Sequence, residues 1–291
     1  MACRALAKAL HFRNIHASRM MSVYGPSESA QLSPNKPRKK VTIQKLKAMK
    51  ETRTPITMIT AYDYPICLGY KSTTELTLSE MIHHTRAVAR GTTHPFLVAD
   101  MPFGSYHVSL QDTAKNAVRL IQEGHIEAVK LEGGSEITDS VRKLAGMGIP
   151  VMAHVGLLPQ RHVSMSGYKV QGKDVESAKR IIEDALALEK AGAFAIVLEA
   201  MPKQLASYIT EKLGIPTIGI GAGPQTDGQV LVWDDLMGTW AGHKAKFVRR
   251  FGNLKAERDS AIQKYAEAVR ARSFPDEHTE SYSVDIDGYK L

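Results

Sequence analysis

The feature that most constrains the fold is a regular alternation of short apolar runs with longer segments of helical period, starting at residue 41. Near-continuous apolar runs are typical of parallel strands that are covered on both faces. The predicted strands are PITMITAY (55–62), PFLVADM (95–101), EAVKLEG (127–133), PVMAHVG (150–156), FAIVLEA (194–200), PTIGIGA (216–222) and KFVRRF (246–251). The alternation therefore predicts an α/β fold around a parallel sheet.

Helical segments fill most of the intervals, and several carry end signals. Thr77 and Glu80 form a capping-box pattern, and Pro202 and Gly214 stand where a helix is expected to begin and end. The predicted helices are 78–91, 109–124, 137–148, 174–192, 202–214, 227–238 and 254–271. The segment 227–238 is a helix by the alternation of segments, although its local propensity is that of a strand.

The number of units favours an incomplete (β/α)8 TIM barrel. A full barrel needs eight strand–helix units in about 250 residues, and 41–272 supplies only the seven strands above. The deficit falls in TAYDYPICLGYKSTTELTL (60–78), where a short connection between Pro65 and Gly69 replaces helix 1 and strand 2. An open doubly wound sheet is the alternative, but no glycine-rich fingerprint follows the first strand.

Charge is distributed unevenly along the chain. The net charge is +8, but residues 1–50 hold 11 Lys or Arg and one acid, so residues 51–291 carry −2. A slightly acidic globular part argues against a nucleic-acid partner. No run of 18 apolar residues is present, so no membrane span is expected.

The N-terminal arm predicts a mitochondrial location. It has basic residues between apolar ones and no acid before Glu28, as transit peptides do, although a disordered basic tail is the alternative. Residues 1–40 are therefore assigned to a transit peptide and linker, 41–272 to the catalytic barrel and 273–291 to a C-terminal tail. The two cysteines, Cys3 and Cys67, predict neither a disulfide framework nor a zinc site.

Ionisable residues end four of the predicted strands. In a barrel these ends meet at one rim, where active sites lie. One such residue is well explained by a structural ion pair, for example Lys130 with Asp100, but five favour a functional site. They are Asp100, Lys130, Glu132, His154 and Glu199.

The types of these residues point to metal-assisted chemistry. Asp100 and Glu132 lie on successive strands and can reach one hard cation, and two carboxylates without thiols suit Mg²⁺. Mg²⁺ would polarise a carbonyl as a Lewis acid. Glu199 can act as a general base and His154 can bind a substrate oxygen.

Other features are less specific. GIGAG (219–223) is a plain turn or a close approach to a ligand. His83 and His84 are predicted to lie on a helix surface rather than to bind metal. HVSMSGYKVQGKD (162–174) is a lid, a binding loop or a solvated surface loop.

Across residues 41–255 the chain resembles the ketopantoate hydroxymethyltransferase family. The matching motifs are TAYDYP (60–65), HHTRAVARG (83–91), VADMPFGSY (98–106), VKLEGG (129–134), MAHVGLLPQ (152–160), IVLEAMP (196–202) and IPTIGIGAGPQTDGQVLVWDDLMG (215–238). The resemblance implies a TIM-barrel transferase that forms homo-oligomers. It implies Mg²⁺-dependent transfer of a hydroxymethyl group from 5,10-methylenetetrahydrofolate to 3-methyl-2-oxobutanoate, giving 2-dehydropantoate in pantothenate biosynthesis.

The resemblance also implies a role for each site residue. Glu199 would be the proton acceptor, and Asp100 and Glu132 would bind Mg²⁺. Asp100, Lys130 and His154 would contact the substrate. The family's second strand ends in Gly-Asp-Ser, which supplies another metal-binding carboxylate and a substrate-binding serine, and this chain has no counterpart at a strand end.

The departure predicts an altered member of the family with little or no transferase activity. The missing piece is about one βα unit, or roughly 30 residues. A non-catalytic subunit that assembles with a full-length copy is one alternative. Another is a different Mg²⁺-dependent 2-oxo-acid enzyme, such as a lyase that uses Cys67.

Overall fold

The computed structural model describes residues 39–61, 70, 72–242 and 244–283. Contacts between Cα atoms divide the chain into Met1–Lys39 and Lys40–Leu291, and the account below concerns the second unit. The stretch 62–69, with Cys67 and the predicted break between Pro65 and Gly69, lies outside the described residues.

The described residues form one parallel sheet of seven strands. The strands are β1 (Ile56–Ile59), β2 (Val98–Asp100), β3 (Ala128–Glu132), β4 (Val151–Gly156), β5 (Ala195–Glu199), β6 (Thr217–Ile220) and β7 (Gly228–Leu231). Their order across the sheet is β1-β7-β6-β5-β4-β3-β2.

This order is that of a barrel with one strand left out. The first strand pairs with the last, Ile56 opposite Gly228, and most other strands pair with their sequence neighbours. Only β1 and β2 are consecutive and unpaired in the described part of the chain, and they form the two edges of the sheet. The predicted α/β barrel lacking one βα unit is therefore confirmed.

Eight α-helices occur among the described residues. They are α1 (Ile43–Glu51), α2 (Leu78–Arg90), α3 (Leu110–Gly124), α4 (Thr138–Gly146), α5 (Val175–Ala191), α6 (Lys203–Lys212), α7 (Trp233–Met237) and α8 (Leu254–Arg270). The Thr77–Glu80 capping box at the start of α2 is present. Within the described ranges, no helix has the length and apolar character needed to cross a bilayer.

The last strand differs from the prediction. Residues 246–251 form no strand, and the predicted helix 227–238 divides into β7 and the short helix α7. Gly228 explains the position of β7, because a Cβ atom at this residue would lie 2.4 Å from the backbone oxygen of Ile56. Glycine thus allows β7 to pair with β1 where a larger residue would clash.

Side chains on the strands alternate between two apolar clusters. In β5, Ala195 and Val197 belong to an inner cluster, whereas Ile196 and Leu198 belong to an outer cluster that includes helix residues. The buried members of the inner cluster are Leu46, Ile56, Met152, Ala195, Val197, Ile218, Ile220 and Val230. Burial on both faces explains why the strand sequences are almost continuously apolar.

Helix α1, which the sequence pattern did not predict, lies at the N-terminal end of the sheet. Leu46 joins the inner cluster, and Lys50 Nζ lies 2.8 Å from Oδ2 of Asp227, just before β7. The helix therefore covers the end of the barrel opposite the predicted site.

Candidate active site

The five predicted site residues lie at the C-terminal ends of four neighbouring strands, β2 to β5. The parallel register sets Asp100 beside Lys130 and Glu132 beside His154. Lys130 and Glu132 alternate with Val129 and Leu131 of the outer cluster, so they face the inner side of the sheet. His154 and Glu199 follow the inner residues Met152 and Val197 by two positions and share that face.

Lys130 connects most of these side chains. Its Nζ lies 2.9 Å from Asp100 Oδ2, 3.5 Å from Glu132 Oε1 and 3.2 Å from His154 Nδ1. The ion pair between Lys130 and Asp100 is present, but it belongs to this larger cluster.

The ammonium group of Lys130 is held in its charged form. Burial is the largest influence and by itself lowers the pKa, but the charges of Asp100 and Glu132 and the hydrogen bond to Asp100 raise it. The pKa of Lys130 is therefore raised above its ordinary value. The charged ammonium group can donate a hydrogen bond to a substrate oxygen.

His154 stands between Lys130 and Glu199. Because an ammonium group can only donate, His154 Nδ1 accepts from Lys130, and a neutral ring carries its proton on Nε2. Nε2 lies 3.1 Å from Glu199 Oε2, an ion-pair distance, but the two atoms make no hydrogen bond and no other described residue supplies one. This buried nitrogen and the Glu199 carboxylate therefore keep capacity for a ligand.

Glu132 is buried at the end of β3 and held by residues that were not predicted. Its Oε2 accepts from the backbone N–H of Gln160 at 3.0 Å, and the Tyr106 hydroxyl lies 3.1 Å from its backbone oxygen. Burial first, and the charge of Glu132 second, raise the pKa of Tyr106. Both residues follow strands that carry site residues, and they end two motifs of the family resemblance, VADMPFGSY (98–106) and MAHVGLLPQ (152–160), which give them no role by themselves.

The donor set fits a hard divalent cation only in part. The site holds three carboxylates, Asp100, Glu132 and Glu199, and the ammonium group of Lys130, which leaves a net charge of −2 if His154 is neutral. The described residues contain no group of three His, Cys, Asp or Glu side chains with metal-site geometry. Two carboxylates can hold Mg²⁺ that takes its other ligands from water and substrate, as this ion commonly does.

The less specific predictions have different outcomes. Gly221 in GIGAG has φ +64, and a Cβ there would lie 2.7 Å from the ring of Phe247, so protein packing explains this glycine. His83 and His84 lie on α2, as predicted, and pack edge to face.

The loop 162–174 has one ring stack within it and one hydrogen bond to the residue that follows β5. His162 stacks on Tyr168 with ring centroids 5.5 Å apart, and Gln171 N–H donates to the backbone oxygen of Ala200, next to Glu199. Its function as a lid or binding loop stays a prediction.

Comparisons with known proteins identify relatives of the chain. A family model for ketopantoate hydroxymethyltransferase matches residues 65–277. Proteins named 3-methyl-2-oxobutanoate hydroxymethyltransferase from Bacillus thuringiensis (strain Al Hakam), Bacillus cereus (strain AH820) and Bacillus anthracis are each 49% identical over 250 residues, which cover 79% of this chain and 90% of the relative. A solved protein from Burkholderia cenocepacia J2315 with a provisional lyase/mutase assignment covers 84% of both chains at 14% identity, and its TM-score of 0.40 is too low to support any argument.

The alignments indicate that this chain is shorter than its relatives within the matched region. Each spans 250 residues, whereas 79% of 291 is about 230, so about 20 positions of the relative have no counterpart here. The strand order places an open interval between β1 and β2, and the family match begins at Pro65, between those strands.

Proposed function

The chain belongs to the ketopantoate hydroxymethyltransferase family, and from this premise we propose that its site is built to transfer a hydroxymethyl group from 5,10-methylenetetrahydrofolate to 3-methyl-2-oxobutanoate, giving 2-dehydropantoate for pantothenate biosynthesis. The observation that carries the proposal is the convergence of five ionisable side chains on one inner rim. Family members are transferases, so the chain is an enzyme by descent.

Asp100 and Glu132 would hold the cation, one from each of two neighbouring strands. When bound, Mg²⁺ would act as a Lewis acid that polarises the 2-oxo group of the substrate. Asp100 is the more open of the two carboxylates, with 34% of its side chain exposed against 3% for Glu132. Asp100 is thus the ligand better placed to contact substrate as well.

Lys130, His154 and Glu199 would handle the substrate and its proton. The charged Lys130 binds an oxygen of the keto acid, and His154 binds another through the proton on Nε2. Glu199 accepts the proton from C3 of 3-methyl-2-oxobutanoate, which makes that carbon the nucleophile for the one-carbon unit. Glu199 Oε2 lies 3.1 Å from His154 Nε2, so a substrate oxygen bound at His154 would lie close to the carboxylate.

We further propose that the chain as written has little or no transferase activity. About 20 positions of its relatives are missing, and one carboxylate and the substrate serine of the Gly-Asp-Ser strand end would be missing with them. The test is Mg²⁺-dependent formation of 2-dehydropantoate by the purified chain and by the Bacillus cereus relative under the same conditions. Equal rates would overturn the proposed impairment and leave the proposed reaction standing.

The proposed reaction needs its own test. The relative's segment should be inserted between Pro65 and Gly69 and the product measured with Mg²⁺ and with a chelator. If the repaired chain folds and makes no 2-dehydropantoate, the reaction assignment is wrong.

A second candidate is a non-catalytic subunit that assembles with a full-length copy, and the missing positions favour it. Co-expression with a tagged full-length member and purification on the tag tests this function. A chain that never co-purifies would count against it.

The remaining assignments are also proposals. They are a mitochondrial location directed by residues 1–40, a catalytic domain at 41–272 with a tail at 273–291, and assembly as a homo-oligomer. A fluorescent protein fused after residue 40 should enter mitochondria, and light scattering of residues 41–291 should give a mass well above one chain.

A further inference from the structure

We propose that Gln160 and Tyr106 are positioning residues that hold the Glu132 carboxylate and the end of β2 in the geometry a divalent cation needs. The inference rests on the proposed function, because it takes Glu132 as a cation ligand. Gln160 lies in the 3₁₀ turn Pro159–Arg161 after β4, and Tyr106 lies in the segment after β2. The two residues are 7% and 3% exposed, so bulk water does not replace their hydrogen bonds.

The first bond makes the two carboxylate oxygens of Glu132 different. Oε2 accepts from the backbone N–H of Gln160 at 3.0 Å. Oε1 faces Lys130 Nζ at 3.5 Å and His154 Nδ1 at 3.9 Å. One oxygen is thus fixed to protein, and the other is directed into the cluster of charged side chains.

Tyr106 fixes the position from which the Glu132 side chain starts. Its hydroxyl oxygen lies 3.1 Å from the backbone oxygen of Glu132 and accepts from the backbone N–H of the same residue at 3.2 Å. The hydroxyl proton is shared with Gln160 Oε1, also at 3.1 Å. Tyr106 therefore binds the strand end and the Gln160 amide together.

Gln160 also ties the two carboxylate-bearing strands to each other. Its Nε2 donates to the backbone oxygen of Met101 at 2.9 Å, and Met101 directly follows Asp100. The same amide therefore connects the end of β2 to Tyr106 and Glu132 at the end of β3.

This tie matters most because of the position of β2. In the described part of the chain β2 pairs only with β3, since it borders the open interval. A strand with one partner has fewer ladder bonds to fix the position of its end. Gln160 supplies a bond from the loop after β4 that compensates for part of this loss, so the separation of Asp100 and Glu132 depends on it.

The experiment measures Mn²⁺ binding to the purified full chain by electron paramagnetic resonance, with Mn²⁺ as the probe for a hard divalent cation. Gln160→Met keeps the length of the side chain and the backbone N–H but loses both side-chain bonds. Tyr106→Phe removes only the hydroxyl group, and it tests the positioning role if Gln160→Met does not fold. Loss of such supporting groups typically weakens metal binding 10–100-fold, and we expect each variant to raise the Mn²⁺ dissociation constant about 10-fold.

Thr217→Val is the matched control. Thr217 is fully buried at the N-terminal end of β6, and its hydroxyl donates to Asp227 Oδ2 at 3.0 Å, far along the strands from the site. This variant should lower the melting temperature and leave the Mn²⁺ dissociation constant unchanged.

The outcomes separate this inference from the proposed function. Unchanged Mn²⁺ affinity in folded Gln160→Met and Tyr106→Phe would overturn the positioning role alone. Equal weakening by Thr217→Val would also overturn it, because the effect would then follow stability. If neither the unmutated chain nor the chain with the relative's segment inserted binds Mn²⁺, the metal assignment fails and this inference fails with it.

Discussion

Strands β3 and β6 and the border strands β1 and β2 belong to one sheet but differ in burial. Every residue of β3 and β6 is buried, whereas only Ile56 in β1 and Ala99 in β2 are. Between the border strands lies the interval in which the described residues place no strand.

This difference in burial bears on the proposed loss of activity. Four of the five site residues lie on strands β3 to β5, where packing is continuous, and they are 13% exposed or less in their side chains. Asp100 lies on the border strand β2. The family match extends over residues 65–277, whereas Asp100, one of the two proposed cation ligands, lies at the border of the sheet.

Restoring the missing segment should produce the largest effect. Insertion of the Bacillus cereus segment between Pro65 and Gly69 returns a strand between β1 and β2 together with its carboxylate. We expect the rate of 2-dehydropantoate formation to rise by at least about 10³-fold, in the range that acid–base and metal groups contribute. Steady-state assays with and without Mg²⁺ measure it.

The control is a glycine–serine insertion of the same length at the same position. It restores chain length but neither strand nor carboxylate, and it should leave the activity at the level of the unmodified chain. Equal recovery of activity with both insertions would show that the chain needs only a longer connection between β1 and β2. The missing strand and its carboxylate would then not explain the low activity.

Glu199→Gln in the repaired chain tests the intact side of the comparison. A neutral amide cannot accept the C3 proton, so the rate should fall about 10²–10⁴-fold. Binding of 3-methyl-2-oxobutanoate, followed by calorimetry, should change only a few-fold. Glu211→Gln, on the exposed surface of α6, is the matched substitution and should have no effect. A fully active Glu199→Gln variant would exclude Glu199 as the base.

The difference in burial between the strands also determines which of them the sequence could predict. Most strands were predicted correctly, for example β6 within 216–222, because burial on both faces leaves an apolar run that is visible without a structure. The segment of β7 has the local propensity of a strand, but the alternation of segments predicted a helix there, because the pairing of Gly228 with Ile56 joins distant parts of the chain and leaves no local signal. The roles of Tyr106 and Gln160 were missed for the same reason, since loops from different units bring them together.

Paired core substitutions should show the difference in burial as a difference in stability. Leu131→Ala in β3 empties a fully buried position and should cost about 2–5 kcal/mol of unfolding free energy. Ile59→Ala in β1, where the residue is 45% exposed, should cost about 1 kcal/mol or less. Denaturant unfolding of both variants measures the difference, and equal losses would mean that the border is as well packed as the centre.

The smallest effect is expected at Glu80, in the first turn of the helix that follows the break. Hydrogen bonds from Thr77 first, and from Tyr70 second, lower the pKa of Glu80 from 4.5 to about 2. A lowered pKa means that the native state binds this proton more weakly than the unfolded chain does. The stabilisation is therefore complete above pH 4.5 and is lost as the pH falls towards 2.

Acid-unfolding curves of two variants test this expectation. Glu80→Gln should flatten the loss of stability across this interval. Thr77→Val should remove most of the same pH dependence, because the Thr77 bond is the main cause of the lowered pKa. If the slope of stability against pH is unchanged in both variants, α2 gains no pH-dependent stability from its capping box.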